Sequence, residues 1–437
     1  MFQYYFMLGV RSLRRNPALT ALMVLILAVG VAASVATLTI LHVMSGDPYP
    51  HKSERMIVPL VDNGPIEGYT PGEERNDNQA SYRDAVNFLN SKQGDRRTVV
   101  YGVAGSVEPD RKDIGVFTAE GLAPTRDFFD IFEVPFLYGQ SWSAAEDKDA
   151  TDVVVLGRKL SDKLYGATNP VGQRIKLLGN SYQIVGVIDT WRPVPRVHRI
   201  IGGPGAFGDE DEFFIPFSTA IRHETGHNGS MNCSSYRDPG WQSLLDSECT
   251  WLQVWIELHS ASDRADFQNW LDAYAAEQRK LGRLKRAAPN VQFNLMQWLE
   301  EMKVVGKDSR ISAWLAFGFL ILCLVNTIGL LLAKFSVRAP EIGVRRALGA
   351  SRKEIFTQFL IESAVVGLVG GVLGLALAIG ALSLIGSISK QLAIVTHMDW
   401  LMLGVTFVMA VSAAILAGLL PTWRACQVTP ALQLKSQ

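Results

Sequence analysis

Four stretches of this chain are apolar and long enough to cross a bilayer, and their uneven spacing limits the architectures open to it. They cover residues 19–41, 311–333, 359–385 and 400–420. A crossing helix needs about 20 residues at a rise of ~1.5 Å each. The last three spans lie close together, whereas about 265 residues separate the first from the second. The expected fold is therefore a membrane protein of four transmembrane α-helices, with a large mixed α/β extracytoplasmic domain inserted between helices 1 and 2. The first span is too long for the apolar core of a signal peptide. The sequence after it, Leu41-His-Val-Met-Ser-Gly46, makes a poor cleavage site, so it reads as a retained anchor.

Charge orients the spans. The whole chain balances at 42 basic and 42 acidic residues. Residues 46–310 hold 30 Lys and Arg against 38 Asp and Glu, a net of −8, and the remainder holds 12 against 4, a net of +8. The basic excess flanks the spans, at Arg11, Arg14 and Arg15 before the first and from Lys334 to Lys353 between the second and third. The positive-inside rule then puts both termini in the cytoplasm and residues 43–308 outside. The expected layout is a cytoplasmic amphipathic helix (1–17), span 1 (18–42), the external domain (43–308), span 2 (309–334) and a cytoplasmic loop (335–356). Span 3 (357–387), an external loop (388–399), span 4 (400–420) and a cytoplasmic tail (421–437) follow. In residues 1–17, Phe2, Tyr5, Phe6, Val10 and Leu13 recur at helical spacing, as in an interfacial anchor. Cys233 and Cys249 fall in the external region, where oxidation is permitted, and are a candidate disulfide; two unpaired thiols are the alternative.

Within the external region, residues 98–105, 113–118, 152–156, 172–178 and 182–188 read as short strands. Residues 81–89, 158–165 and 261–282 read as helices. Residues 191–290, rich in Trp, Gly and charge, are expected to hold a second subdomain. Leu295, Leu299 and Met302 then share a helical face in a pattern running from 291 to 305, a stalk leading toward span 2 that Gly306 interrupts.

The loop between spans 2 and 3 reads Glu341-Ile-Gly343-Val-Arg345-Arg346-Ala-Leu-Gly349-Ala, then Gln358 and Glu362. This order resembles the intracellular loop of FtsX-like (MacB-type) permeases, the membrane subunits of one class of ABC transporter. A second resemblance lies outside the membrane. Residues 125–139, then Val153-Val-Val-Leu-Gly157, Leu164-Tyr-Gly166, Asn169-Pro-Val-Gly172 and Ile184-Val-Gly-Val-Ile188, are similar in order to the periplasmic core domain of those permeases. A third is the tail, where Pro421, Arg424, Ala425, Pro430 and Leu434 match the family's ending and Gln433 stands where it has alanine.

From the residues themselves, Pro340 suits a helix's first turn, Gly349 ends that helix, and Ser351 with Glu354 forms a capping box for the next. Two short elements at a sharp angle make a rigid knob. The resemblance implies that this knob includes the coupling helix that docks on an ATPase subunit. Glu341, Arg345, Arg346, Arg352 and Lys353 are the contact candidates, with Gly343 and Gly349 shaping the backbone. The competing reading is that these arginines only fix topology and bind anionic headgroups.

Glu362 is an acid set into an apolar span, where an ionisable group is costly. With no ladder of further acids to form a proton relay, a structural role is expected, toward the basic loop or toward Asn326 and Thr327. Gly367, Gly370, Gly371 and Gly374 repeat as small-xxx-small pairs on span 3 and allow close helix packing. No Gly-x-x-x-x-Gly-Lys-Ser/Thr occurs, so ATP hydrolysis by that route is not expected of this chain, which would bind no cofactor itself.

One competing motif is His223-Glu224-Thr225-Gly226-His227, with Glu248 a conceivable third zinc ligand. It requires both histidines on one helix, which Gly226 and Asn228-Gly229 oppose. The family resemblance implies instead a bacterial inner-membrane permease paired with a second, identical or paralogous, permease. ATP and Mg would be bound by a partner ATPase, with a periplasmic adaptor and outer-membrane channel as possible further partners, contact with membrane lipids, and no nucleic acid. It implies mechanotransmission, in which ATP-driven motion reaches the external domain. The alternatives are a signal transducer controlling a cell-wall hydrolase, a lipoprotein-release permease and, last, a membrane-anchored metalloprotease.

Overall fold

The computed structural model describes residues 16–71, 78–201, 205–234, 237–287 and 290–388, with Met7 and scattered helical positions between 404 and 423. The expected N-terminal amphipathic helix, the 388–399 loop, most of the fourth span and the tail from Arg424 onward lie outside the described residues. Two compact units emerge, one of Met1–Ser45 with Val305–Gln437 and one of Gly46–Val304. The first unit begins with α1 (Pro17–Met44), where Pro17 occupies the first turn, a position that needs no backbone N–H donor.

The second unit is built on eleven strands: β1 (Met56–Leu60), β2 (Ala80–Ser81), β3 (Arg96–Glu108), β4 (Phe117–Pro124), β5 (Phe136–Gly139), β6 (Val153–Leu156), β7 (Arg174–Leu177), β8 (Asn180–Ile188), β9 (Phe213–Phe214), β10 (Thr250–Glu257) and β11 (Val291–Asn294). Its helices are α2 (Tyr82–Asn90), α3 (Phe128–Ile131), α4 (Ala144–Lys148), α5 (Arg158–Tyr165), α6 (Phe217–Arg222), α7 (Trp241–Asp246), α8 (Arg264–Lys280) and α9 (Leu295–Glu301). The main path of the sheet runs β11-β1-β10-β3-β4-β9-β6-β8-β5, with β2 paired to β10 and β7 to β3 and β8. Most pairings are antiparallel; β4 with β9 and β6 with β8 are parallel.

Three expectations change. Residues 191–290 do not stand apart as a subdomain: they supply β10, which pairs with both β1 and β3 in the same sheet. Its Trp and Gln residues obscure the alternation that marks a strand. The 113–118 run is a turn leading into β4, which begins at Phe117. The 291–305 pattern is not one helix either. Val291–Asn294 pairs with β1, the helix is Leu295–Glu301, and Lys303 takes a positive φ of 50° after it. Asn294 starts that helix by accepting a bond from the Gln297 N–H at 2.8 Å, while Gln297 closes the box in return.

Side-chain alternation divides the core between the two faces of the sheet. Val99, Tyr101 and Val103 of β3 join one cluster with Phe88 and Phe267, and Val100 joins the other with Phe128, Phe132 and Phe214. On β10, Leu252, Val254 and Ile256 belong to the first cluster and Trp255 to the second. Trp251 would follow Trp255 in an unbroken strand, yet it packs in the first. A register shift between Thr250 and Leu252 accounts for the change of side. Each buried indole contributes on the order of 5 kcal/mol of transfer free energy before entropy is counted.

The first unit resumes with α10 (Lys307–Val337), α11 (Ala339–Ala347) and α12 (Arg352–Ile388). The helices long and apolar enough to cross a membrane, among the described residues, are Pro17–Met44, Ile311–Val337 and Arg352–Ile388. The 37 residues of α12 extend about 55 Å, more than a hydrocarbon core of about 30 Å requires. Both α10 and α12 pack on α1.

Candidate functional site

The basic segment between α10 and α12 folds into a compact knob. Helix α10 ends at Val337, with Arg338 as its last cap, and α11 starts at once with Pro340 in its first turn. Gly349, with φ at +100°, reverses the chain after α11, a conformation that favours glycine. Ser351 then caps α12: its backbone N–H donates to Glu354 Oε2 at 2.9 Å, and the Glu354 N–H donates to Ser351 Oγ at 3.2 Å. The apolar side of the knob is buried, with Ile342 of α11 packing among Phe335, Ile355 and Phe359. The Phe335 and Phe359 rings lie 4.5 Å apart.

The candidate contact residues divide into two kinds. Arg345 is engaged inside the knob, donating to Glu341 Oε1 at 2.6 Å and to Gln358 Oε1 at 3.1 Å. Arg352 and Lys353 are exposed at the start of α12, and Gly343 is half-buried. The Arg346 side chain is outside the described set. Charge-based reasoning passed over two exposed apolar residues here: Val344 at 56 %, and Leu348, next after the last residue of α11, at 83 %. The Leu348 N–H donates to the Val344 carbonyl at 3.0 Å, which carries the helical turn on and puts both side chains on one face.

Glu362 is buried beneath the knob and is an ionic centre. Lys334 Nζ lies 2.8 Å from its Oε1, and Arg338 Nη1 donates to Oε1 at 3.2 Å and to Oε2 at 3.0 Å. The carboxylate thus faces the basic end of α10. Asn326 is exposed, and Thr327 donates to the Cys323 carbonyl of its own helix at 2.8 Å. The readable signal was the i, i+4 spacing of Lys334 and Arg338 beside a single acid in an apolar span.

Further along α12, Gly370 and Gly374 face α1. A Cβ on Gly370 would fall 3.1 Å from Leu27 Cβ, while Gly367 and Gly371 are also buried. A comparable close approach on α1 escaped the sequence reading: a Cβ on Gly30 would lie 2.9 Å from Cys323 Cβ of α10.

In the sheet unit, Cys233 and Cys249 form a disulfide closing a sequence separation of 16. Beside it, Glu248 accepts from Arg283 Nη2 at 2.8 Å and from Asn63 at 3.0 Å, and Arg283 also donates to Asp84 at 3.1 Å. Glu248 is therefore taken up in an ion-pair network. The histidine motif lacks its helix: α6 ends at Arg222, His223 is the cap, and Glu224 has φ at +52°. His223 Nε2 meets Asp152 Oδ1 at 2.6 Å, and His227 Nδ1 meets the Gly229 carbonyl at 3.1 Å.

A second buried ionic group holds the 191–201 segment to the sheet. Asp211 is paired with Arg196 and with Arg199, whose Nε is 3.4 Å away, and lies 3.3 Å from His198 Nε2. Burial alone would raise the Asp211 carboxyl, but the Arg196 and Arg199 charges outweigh it and hold it well below the usual range. Burial pushes His198 down to about 4 despite its Asp211 neighbour.

A family profile described as the MacB-like periplasmic core domain matches residues 20–274, and one described as the FtsX-like permease C-terminal region matches residues 313–430. Among curated proteins, the macrolide export ATP-binding/permease protein MacB of Bdellovibrio bacteriovorus is 26% identical over 351 residues, which covers 79% of this chain and 45% of the relative. The pyoverdine export ATP-binding/permease protein PvdT of Pseudomonas fluorescens is 26% identical over 319 residues, 71% of this chain and 42% of the relative. The chain thus spans less than half the length of these two relatives. Among solved structures, the periplasmic region of MacB from Actinobacillus actinomycetemcomitans aligns at 13% identity and a TM-score of 0.37, covering 58% of this chain and 95% of that one.

Proposed function

Because the chain belongs to the MacB-like periplasmic core domain family and carries an FtsX-like permease region, we propose that it is the permease subunit of an ABC exporter that acts by mechanotransmission. The observation that carries this reading is α11. It is a short helix fixed at both ends, buried on one side and presenting Val344 and the adjoining Leu348 on another, placed between two helices of membrane-crossing length. That is the form of a docking element. In this reading a separate ATPase subunit, holding ATP and Mg, binds the knob on the cytoplasmic side of a bacterial inner membrane. Its closure would move α10 and α12, and the Gly46–Val304 unit would follow on the periplasmic side.

Export is favoured over signalling and lipoprotein release because the relatives' names, macrolide export and pyoverdine export, are those of exporters. Those names join ATP binding and permease, and the profiles matched by this chain are those of the permease part. A second permease copy would complete the unit, and an adaptor with an outer-membrane channel would carry substrate onward. The metalloprotease reading loses its support, since the required helix ends before the motif does.

The test is co-expression of the full chain with candidate ABC ATPases and measurement of ATP turnover in nanodiscs. A stable, active complex that Arg345→Glu with Arg346→Glu abolishes is the expected result. An active complex indifferent both to that double reversal and to Leu348→Asp would show the knob is not the docking site. Absence of a complex with every such ATPase would overturn the permease reading.

A further inference from the structure

We infer that Glu362, clamped by Lys334 and Arg338, is a positioning residue that makes α10, α11 and the first turns of α12 move as one body. The inference rests on the proposed function, in which α11 receives force from an ATPase, and adds how that force leaves α11.

The knob has two places where it could yield. One is the junction at Arg338, where α10 ends and α11 begins one residue later. The other is the glycine reversal at Gly349. A short helix hung between two such points would pivot when pushed, and the displacement would be lost in the loop. Apolar packing of Ile342 against Phe335, Ile355 and Phe359 resists separation, but packed apolar surfaces can slide. The Arg345–Gln358 bond is exposed and competes with water.

The Glu362 centre differs in kind. Lys334 and Glu362 are both buried, with side chains 0% and 3% exposed, and Arg338 is 12% exposed. Sliding α10 along α12 would leave a charge without its partner inside an apolar region, the costly outcome for a buried pair. A well-packed apolar replacement would be at least as stable, so rigidity of register is what the ions add. Geometry also places the clamp well. Arg338 sits at the α10–α11 junction, Lys334 one turn before it, and Glu362 about 15 Å along α12 from its first residue, at ~1.5 Å per residue. Roughly two and three turns beyond Glu362 on α12, at 3.6 residues per turn, Gly370 and Gly374 make their close contacts with α1. Force entering α11 therefore has a stiff route to α12 and from there to α1.

The experiment uses the full chain with its ATPase in nanodiscs, comparing wild type, Glu362→Gln, and the exchange of Lys334→Glu with Glu362→Lys. Expected results are that Glu362→Gln still binds the ATPase within about twofold of wild type and loses at least tenfold in permease-dependent ATP turnover. The exchange should recover a third or more of that turnover. Thermal unfolding of each variant separates loss of fold from loss of coupling. Wild-type turnover in the bound Glu362→Gln complex would overturn the inference, as would a folded exchange variant that recovers nothing. If wild type binds no ATPase, the permease reading fails instead. The clamp is then read from amide exchange in the full chain alone, where Glu362→Gln must speed residues 335–348 at least tenfold or the brace itself is refuted.

Discussion

A Cβ placed on Gly374 would lie 2.9 Å from the Ala28 carbonyl oxygen of the neighbouring helix. Val31 Cβ would be 3.0 Å away on the same side. The first of these is backbone and cannot turn aside. Gly374→Ala should therefore push α12 from α1 and destabilise the helix pair by about 1–3 kcal/mol, the usual cost of overpacking. Gly380→Ala on the same helix, where a Cβ meets nothing within 4 Å, is the control and should be neutral. Thermal unfolding of the purified full chain in detergent compares the two; equal midpoints would remove Gly374 as a packing determinant.

Acid should weaken the sheet unit in a defined window. His198 is held down to about 4 by burial, below the ordinary value near 6.5. As pH falls below 6.5 the unfolded chain takes up a proton that the folded chain refuses, so stability present above 6.5 is lost progressively down to about pH 4. The span of the shift corresponds to about 3 kcal/mol. Asp211, held low by Arg196 and Arg199, adds a further loss as pH falls through the ordinary carboxylate range and below it. Denaturant unfolding followed by tryptophan fluorescence at pH 7.5, 6 and 4.5 should show the decline. His198→Phe should flatten it between pH 6.5 and 4.5; an undiminished slope would assign the effect elsewhere.

The Cys233–Cys249 link closes a loop with a sequence separation of 16, so in the chain-entropy model its removal costs about 3 kcal/mol. Reductant should lower the unfolding midpoint of wild type and leave the Cys233→Ser/Cys249→Ser double variant unchanged. Sensitivity to reductant persisting in the double variant would exclude the link as its source.

Legibility differed between the two halves of the molecule for physical reasons. In the described membrane helices, apolar length is sufficient evidence, and Pro17–Met44, Ile311–Val337 and Arg352–Ile388 lie where hydropathy placed spans. Turn chemistry was equally direct: Gly349 and the Ser351–Glu354 box are local features whose residues sit next to one another in sequence. What stayed hidden was non-local. Nothing within Thr250–Glu257 says that it will lie between β1 and β3, because that choice depends on partners about 150 to 200 residues away along the chain. The Glu362 clamp was half legible. The burial cost of an acid in an apolar span called for a partner, but only folding selects Lys334 and Arg338 over Asn326.

The exposed pair at the end of α11 leads to the sharpest contrast between charge and apolar contact. Arg345 spends its hydrogen bonds on Glu341 and Gln358, whereas Leu348 is 83 % exposed beside the half-exposed Val344. Binding energy at protein interfaces concentrates in a few residues that lose their water fully, and rim charges contribute little. If the knob docks on an ATPase, Leu348→Asp should weaken that association about tenfold or more, because it puts a charge where a partner's surface expects an apolar group. Arg352→Ala and Lys353→Ala, at exposed sites on α12, should each change it by less than about threefold and mainly through its salt dependence. Titration of labelled ATPase against the full chain in nanodiscs at two salt concentrations measures both effects. A larger loss from the exposed basic residues than from Leu348 would mean that the contact is electrostatic and that α11 docks through its charged edge.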